Sequence, residues 1–441
     1  MSNIALLRLT ILCSLLSFTL LLAPRLLSHA AASEEDQENP QPLVQDDEHV
    51  AALSLSNSGM FCDRSAFRSD VCFMRGDVRT HSASNSILLV SQNFTAAETI
   101  KPYTRKWETG VMDTIAELRL RTVDPDDARA HTCDVRHDVP AVVFSTGGYT
   151  GNVYHDFNDG LIPLFITSHQ FDRKVVFIVL DHHPWWLARY GKVLSRLSHH
   201  PPIDFAGDQR THCFSEVIVG LRIHGELAVD PARMKNNATI ADFRQVLDDA
   251  YGPRVKRITT SARSRRPKLV IVQRNGSRAI ENEGAVASMA AAAGFRVEVL
   301  RPGASTALAR IHRAMSTCDA MVGVHGAAMA HILFMRPGTA FVQIVPVGTD
   351  WPAAAYYGDP ATKMGLRYEA YRILPRESSL LGEYREEDEV LRDPDSVNAK
   401  GWETTKKVYL DGQRVTLDLV RFRRSLVRVR QYLISRWTFN S

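Results

Sequence analysis

A chain of 441 residues, 45% hydrophobic and 23% charged, is long enough for two packed domains of ordinary size. Its 53 lysines and arginines stand against 49 aspartates and glutamates, an excess too small to mark a nucleic-acid binder, so functional charge must be local. The chain has no GxSxG elbow, Walker loop, HExxH helix or CxxC pair, which removes the usual hydrolase, NTPase, metalloprotease and structural-zinc signatures.

Residues 1–8 form a short tail ending in Arg8, and an uninterrupted apolar run follows, LTILCSLLSFTLLLA, closed by Pro24 and Arg25. The run reads as a membrane-insertion signal over 9–27; Ala30, Ala31 and Ala32 also offer a cleavage site, so a removed signal peptide is the alternative. Either route sends the rest of the chain into the secretory pathway, where the sequons at Asn93, Asn237 and Asn275 become glycan acceptors. Residues 28–59 are rich in acids, amides and proline and lack the apolar side chains to fold, which suits a stem. Beyond Cys13 there are five cysteines, an odd number. Cys62 and Cys72 are the best disulfide, Cys133 with Cys213 a second, and Cys318 a buried thiol.

From 60 to 260 strand-like runs at 86–90, 141–145 and 175–180 alternate with helical sequence, and IADFRQVLDDAY predicts a helix over 240–251 stopped by Gly252 and Pro253. A basic, serine-rich stretch at 261–268 reads as a linker. From 268 to 400 strands are expected at 269–272, 296–300, 320–324 and 340–345, with helices at 281–293, 305–317 and 327–335 between them. Such alternation builds a parallel sheet whose ligand sits at the carboxyl ends of the strands. A hairpin around Asp411 and Gly412 and an amphipathic helix over 420–437 complete the last segment, 401–441.

Four clusters carry chemistry. In VVFSTGGYTGNVYHDFNDGLIPLF the glycines admit a ligand, and His155 and Asp159, four apart with Asp156 beside them, form an acid/base group or else a hydrogen-bonded turn. In GVHGAAMAHILFMRPG a strand turns through His325, Gly326 and Ala327 into a helix whose amino end suits a phosphate; a tight turn with a satisfied histidine fits the same residues. In VQRNGSRAIENE, Arg274 and Arg278 suit a diphosphate unless Glu281 and Glu283 pair with them. In GLRIHGEL, Arg222, His224 and Glu226 alternate as on the polar face of a strand, toward a cleft or toward water.

These segments, in this order, resemble the plant members of glycosyltransferase family 61, in particular its grass xylan arabinosyl- and xylosyltransferase branch. The resemblance runs from FCDRS and CFMRGDVR through FSTGGYTGNVYHDFNDGLIPLFITS, VIVGLRIHGELAVDPARM, QRNGSRAIENE and GVHGAAMAHILFMRPG to IVPVGTDWPAAAYYGDPATKMGLRY; Ala330 and Asp359 depart from the family pattern. It implies an α/β GT-B fold, two Rossmann-like domains facing a cleft, with an acceptor-side domain at 60–260 and a nucleotide-sugar-binding domain at 268–400. It also implies a single-pass type II Golgi membrane protein with a lumenal catalytic region. The expected activity is inverting transfer of xylose or arabinofuranose from a UDP-sugar to xylan, without a metal or other cofactor. His155, Asp156 and Asp159 are the catalytic candidates and Arg274, Arg278, His325, Gly326 and Ala327 the donor-binding ones; Arg222, His224 and Glu226 are candidates for the acceptor cleft. The base is either Asp156 or Asp159. A complex with other wall-synthesis transferases is a further expectation; the alternatives to pentose transfer are a catalytically silent carbohydrate-binding subunit of a xylan-synthesising complex and transfer of N-acetylglucosamine from its UDP-sugar to protein.

Overall fold

The computed structural model describes residues 59–92, 95–252 and 266–439. The expected anchor and stem, the sequon at Asn93 and most of the linker lie outside them. Among the described residues no helix is long and apolar enough to cross a membrane.

The first sheet has ten strands: β1 Gly59–Asp63, β2 Val71–His81, β3 Ser86–Val90, β4 Ala97–Ile100, β5 Leu118–Val123, β6 Val135–Arg136, β7 Ala141–Ser145, β8 Val176–Leu180, β9 Ile203–Asp204 and β10 His212–Val219. Their order is β4-β5-β3-β2-β10-β7-β8-β9, with β1 on β2 and β6 on β10. The half from β10 to β9 is parallel, while β2 runs antiparallel to both β10 and β3. This sheet is therefore mixed, where two Rossmann-like sheets had been expected. Strands β7 and β8 are buried at every position, as unbroken apolar runs covered on both faces must be.

The second sheet is wholly parallel: β11 Lys268–Val272, β12 Arg296–Leu300, β13 Ala320–Val324, β14 Ala340–Val345 and β15 Arg367–Arg372, ordered β12-β11-β13-β14-β15. The helices that matter here are α1 Ile162–Ser168, α2 Pro184–Leu197, α3 Ile240–Tyr251, α4 Glu283–Ala292, α5 Leu308–Ser316 and α6 Leu419–Phe439. Thr239 caps α3 in a reciprocal box with Asp242, which fixes where it begins.

One apolar core joins the two sheets. Val142 and Phe144 of β7 and Val270 and Val272 of β11 belong to the same buried cluster, with Phe157, Phe243 and Phe334 between them. Phe157 meets Phe334 at 5.8 Å and Phe243 at 6.4 Å. The buried Arg244 of α3 adds polar stitches, donating from Nε to the Leu333 carbonyl at 3.1 Å and from a terminal nitrogen to that of Met364 at 3.3 Å. The far face of each sheet has its own core, around Met74 and Ile87 in the first and around Ile271 and Phe422 in the second. Disulfides join Cys62 to Cys72 and Cys133 to Cys213, and Cys318 is a buried free thiol.

Two expectations are corrected. No hairpin forms at Asp411 and Gly412: the chain is helical through Trp402–Thr405 and Lys406–Asp411, because Tyr409 and Leu410 turn inward and Tyr409 packs over Gly348. Nor is 220–227 a strand. β10 ends at Val219, and Gly220 (φ +98°), Gly225 (φ +142°) and Leu227 (φ +42°) break the extended path that alternation suggested.

Gly220 marks the turn most tightly, since a Cβ there would lie 2.3 Å from the Asp70 carbonyl oxygen. Gly220→Ala is expected to lower the unfolding free energy by about 2 kcal/mol or more, from positive φ and backbone crowding together, read as a lower urea midpoint at unchanged slope.

Candidate active site

Each sheet has a point where consecutive parallel strands lie on opposite sides of an earlier one, and the candidate loops leave from there. In the second sheet the order β12-β11-β13 puts the switch between β11 and β13, whose carboxyl ends run into Gln273 and Arg274 and into His325 and Gly326. In the first, β7 lies between β8 and β10, and the loops after β7 and β10 carry His155 and Glu226. Crevices at such switch points are where open α/β sheets hold ligands.

The loop after β7 enters a helix capped by Asn152, whose side chain accepts from the Tyr154 amide at 3.1 Å. The helix widens into a π turn at Asp156–Leu161 before α1, a distortion that recurs at functional sites. It places His155 over Asp159. His155 Nδ1 donates to Asp159 Oδ2 at 2.6 Å, and Arg105 Nε donates to the same oxygen at 2.9 Å. Asp159 is shut off from water, yet its carboxyl is held below the usual range: burial alone would raise it, but the His155 hydrogen bond and the Arg105 charge outweigh that. Arg105 is held in turn by Glu108 at 2.7 Å, and Glu108 accepts from the Tyr149 hydroxyl at 2.8 Å. The Tyr149 ring stacks on His155 with centroids 4.3 Å apart. With Nδ1 committed as a donor, His155 Nε2 keeps a lone pair and makes no hydrogen bond among the described residues; the side chain is 16% exposed.

Asp156 faces away from this group. Its Oδ1 accepts from the Gly151 amide at 3.0 Å and the Trp186 indole at 3.2 Å, and its Oδ2 from the Tyr190 hydroxyl at 2.8 Å. Burial raises its carboxyl, and these donors work against that rise. It pins the glycine loop to α2.

At the other switch point Arg274 and Arg278 converge on Gly326. That glycine sits at φ +144°, and a Cβ on it would come within 2.5 Å of an Arg274 nitrogen and 3.0 Å of one from Arg278. Glu281 pairs instead with Arg414 at 2.8 Å and Glu283 with Arg301 at 2.5 Å, so neither arginine has a salt-bridge partner among the described residues. Both Nε atoms are buried and unpaired, while one Arg278 terminal nitrogen donates to the His325 carbonyl at 3.3 Å. Burial lowers the pKa of Arg274; burial and the Arg274 charge bring Arg278 down to about 10. The buried Arg278 and the part-buried Arg274 are two cations crowded together, an arrangement that an anion would stabilise.

His325 is buried beside them, lowered to about 3 by burial and then by the two arginine charges. The Tyr368 hydroxyl donates to Gln343 Oε1 at 2.8 Å, which turns the Gln343 amide nitrogen toward His325 Nδ1 at 3.0 Å. Nδ1 therefore accepts and Nε2 carries the proton, making His325 a neutral donor. Ala327 opens the 3-10 helix Ala327–Phe334 that follows, and Ala330 is buried in the shared core.

A train of rings connects the two groups: His155 to Tyr154 at 5.1 Å, Tyr154 to Tyr357 at 5.5 Å and Tyr357 to His325 at 5.5 Å. Of the three residues expected at the acceptor cleft, Glu226 joins it, accepting from the Tyr154 hydroxyl and pairing with Arg68 at 2.8 Å. Arg222 lies over Phe73 at 5.3 Å, and His224, lowered to about 4 chiefly by burial, accepts from the Asp230 amide at 3.0 Å. Asn237 and Asn275 are both exposed. Arg105, Glu108, Gln343, Tyr154 and Tyr357 were not singled out from sequence, although the two tyrosines lie inside the segments that carry the family resemblance.

The family model for Glycosyltransferase 61 matches residues 153–342, a span that holds His155, Asp159, Arg274, Arg278 and His325. Over 395 residues the chain is 53% identical to the xylan glycosyltransferase MUCI21 of Arabidopsis thaliana, covering 85% of this chain and 80% of that one. It is 36% identical over 390 residues to the alpha-1,3-arabinosyltransferase XAT3 of Oryza sativa subsp. japonica (86% and 67% covered). It is 35% identical over 389 residues to the beta-1,2-xylosyltransferase XYXT1 of the same plant (83% of each).

Because the arginine pair has no salt-bridge partner among the described residues and only the exposed Asp411 acts on it from a distance, Arg278→Met is expected to leave the stability of the empty protein unchanged or raise it, by up to about 1–4 kcal/mol, and to abolish the rise in melting temperature produced by pyrophosphate. An arginine held by a carboxylate would give the opposite sign. His325 is neutral when folded but takes a proton below about pH 6.5 when unfolded, so it contributes stability above that pH that is lost as the pH falls toward about 3. Urea midpoints measured from pH 7 to 4 are expected to fall less steeply in His325→Gln.

Proposed function

We propose that this chain, which belongs to the glycosyltransferase 61 family and is a glycosyltransferase, transfers a pentose from a UDP-sugar to xylan with inversion at the anomeric carbon. The single observation that carries the reading is the pair of guanidiniums that converge on Gly326 at the switch point of the parallel sheet with both Nε atoms buried and no salt-bridge partner among the described residues, an arrangement suited to a nucleotide diphosphate. The two sheets with facing loops support a GT-B architecture, with the donor bound at the second sheet and the acceptor at the first.

His155 is the general base of this reading, in place of either aspartate. As the acceptor oxygen bonds to the anomeric carbon, its proton passes to His155 Nε2 and the bond from that carbon to the diphosphate breaks, its electron pair leaving with UDP. Asp159 keeps Nδ1 protonated and stabilises the imidazolium, as a carboxylate behind a histidine does in other acid/base pairs. Asp156, with both oxygens taken, holds the loop. Arg274, Arg278 and the His325 Nε2–H stabilise the charge that develops on the leaving diphosphate, which gives the reaction its electrophilic assistance without a divalent metal. Glu226, next to Tyr154, faces the acceptor. The two disulfides belong to an oxidising compartment, and with the apolar run near the N-terminus they support a type II protein whose catalytic region lies in the Golgi lumen.

The test is UDP release from a panel of UDP-sugars with xylo-oligosaccharide acceptors and EDTA present. Turnover is expected with a pentose donor and to persist in EDTA. His155→Ala and Asp159→Asn are expected to lower kcat by about 10²–10⁴-fold while UDP still binds, and Asp156→Asn is expected to act on thermal stability first. Full activity in His155→Ala would remove the histidine from the mechanism.

A further inference from the structure

Phe67 and Trp107 stack on each other, rings 5.1 Å apart and 18° from parallel, without leaving the surface: Phe67 is 70% exposed and Trp107 36%. Large rings presented together to solvent mark a contact site more often than a packing defect. Their setting is rigid. The segment that bears Phe67 is closed by the Cys62–Cys72 disulfide, and Arg64 ties it down through Asp70 at 2.7 Å and Glu98 at 2.9 Å.

The pair is also fastened to the catalytic group at two points. The guanidiniums of Arg105 and Arg68 each lie 5.1 Å from the Trp107 ring centre. Arg105 reaches from there to Asp159, and so to His155. Arg68 reaches to Glu226, and so to Tyr154. A ligand lying on these rings would lead directly toward both the base and the ring train to the donor pocket.

The local charge says what kind of ligand. Arg68 is paired with Glu226, Arg105 with Glu108 and Asp159, and Lys106 with Asp70 at 2.7 Å. No net positive charge is left to attract a polyanion. An aromatic face bordered by neutralised polar groups suits a chain of neutral pyranose rings, whose C–H faces lie flat on an aromatic ring while the hydroxyls project to the sides.

We infer that Phe67 and Trp107 form a stacking platform for the acceptor polysaccharide, holding a stretch of unsubstituted xylan backbone beside the sugar that receives the pentose. This rests on the reading of the chain as a xylan transferase. It makes acceptor length, rather than the receiving sugar alone, a determinant of affinity.

The test is binding of xylotriose and xylohexaose to the full-length protein with UDP bound, by calorimetry. The unaltered protein is expected to bind xylohexaose more tightly than xylotriose. Phe67→Ala and Trp107→Ala are expected to weaken xylohexaose by about tenfold or more and to erase the gain from chain length, with Trp107→Phe restoring part of it. UDP affinity in each variant reports that the fold survives, and the largely exposed Phe67 guards against collapse at Trp107. Length-dependent binding that ignores both alanine substitutions overturns the platform alone. A change from dimer to monomer in those variants, with xylohexaose affinity intact, overturns it in favour of a contact between copies. Failure of the unaltered protein to bind xylohexaose, with pentose transfer to another acceptor intact, overturns xylan as the acceptor and the platform with it.

Discussion

Two guanidinium groups crowded together with no salt-bridge partner among the described residues are costly to fold around, and an anion bound between them would offset that cost. Arg274 and Arg278 leave one strand and the turn that follows it; His325 and Gly326 leave the neighbouring strand; the missing side chain of Gly326 is the space the arginine nitrogens occupy. Gln343 and Tyr368 hold His325 in its neutral, proton-donating form. A protonated histidine here would add a third positive charge to a site that already lowers both arginines.

The acid/base group follows the opposite rule. Asp159 is as deeply buried as any carboxylate in the described residues but is over-supplied with donors, so it stays ionised and orients the His155 ring. The two halves of the site thus divide the electrostatic work: an anion fixed inside the first sheet's loops, and cations fixed at the second's. Tyrosines fill the space between them, apolar enough to exclude water and carrying hydroxyls that can be anchored, as that of Tyr154 is by Glu226.

The parallel sheet from 268 to 345 was the most legible part of the sequence, because strand-like runs rich in valine and isoleucine alternate there with helices, whereas its fifth strand β15, RYEAYR, is polar and gave no such signal. The strands at 296–300, 320–324 and 340–345 fall on their expected bounds. The first sheet was harder. Its long strand β2, FMRGDVR among it, carries charges at positions where an antiparallel strand meets solvent, and it gives no buried-strand signal. Arg222, His224 and Glu226 alternate like a strand, but two glycines at positive φ turn them in different directions, and periodicity cannot see a backbone dihedral. Arg105 was invisible for a different reason: it lies 50 residues and more from the histidine and aspartate it serves, and only the sheet order brings them together.

The core that runs unbroken between the sheets has a bearing on how such proteins diversify. Phe157 comes from the helix that carries His155 and Asp159, Phe243 from the helix before the linker and Phe334 from the helix behind the arginine pair, and the three pack as one group. Two sheets joined this way are not exchangeable modules. A chimaera of two relatives would have to match its aromatic residues across the joint before its loops could be compared, so new sugar specificities arise more readily by altering the loops above the shared core than by recombining the halves beneath them.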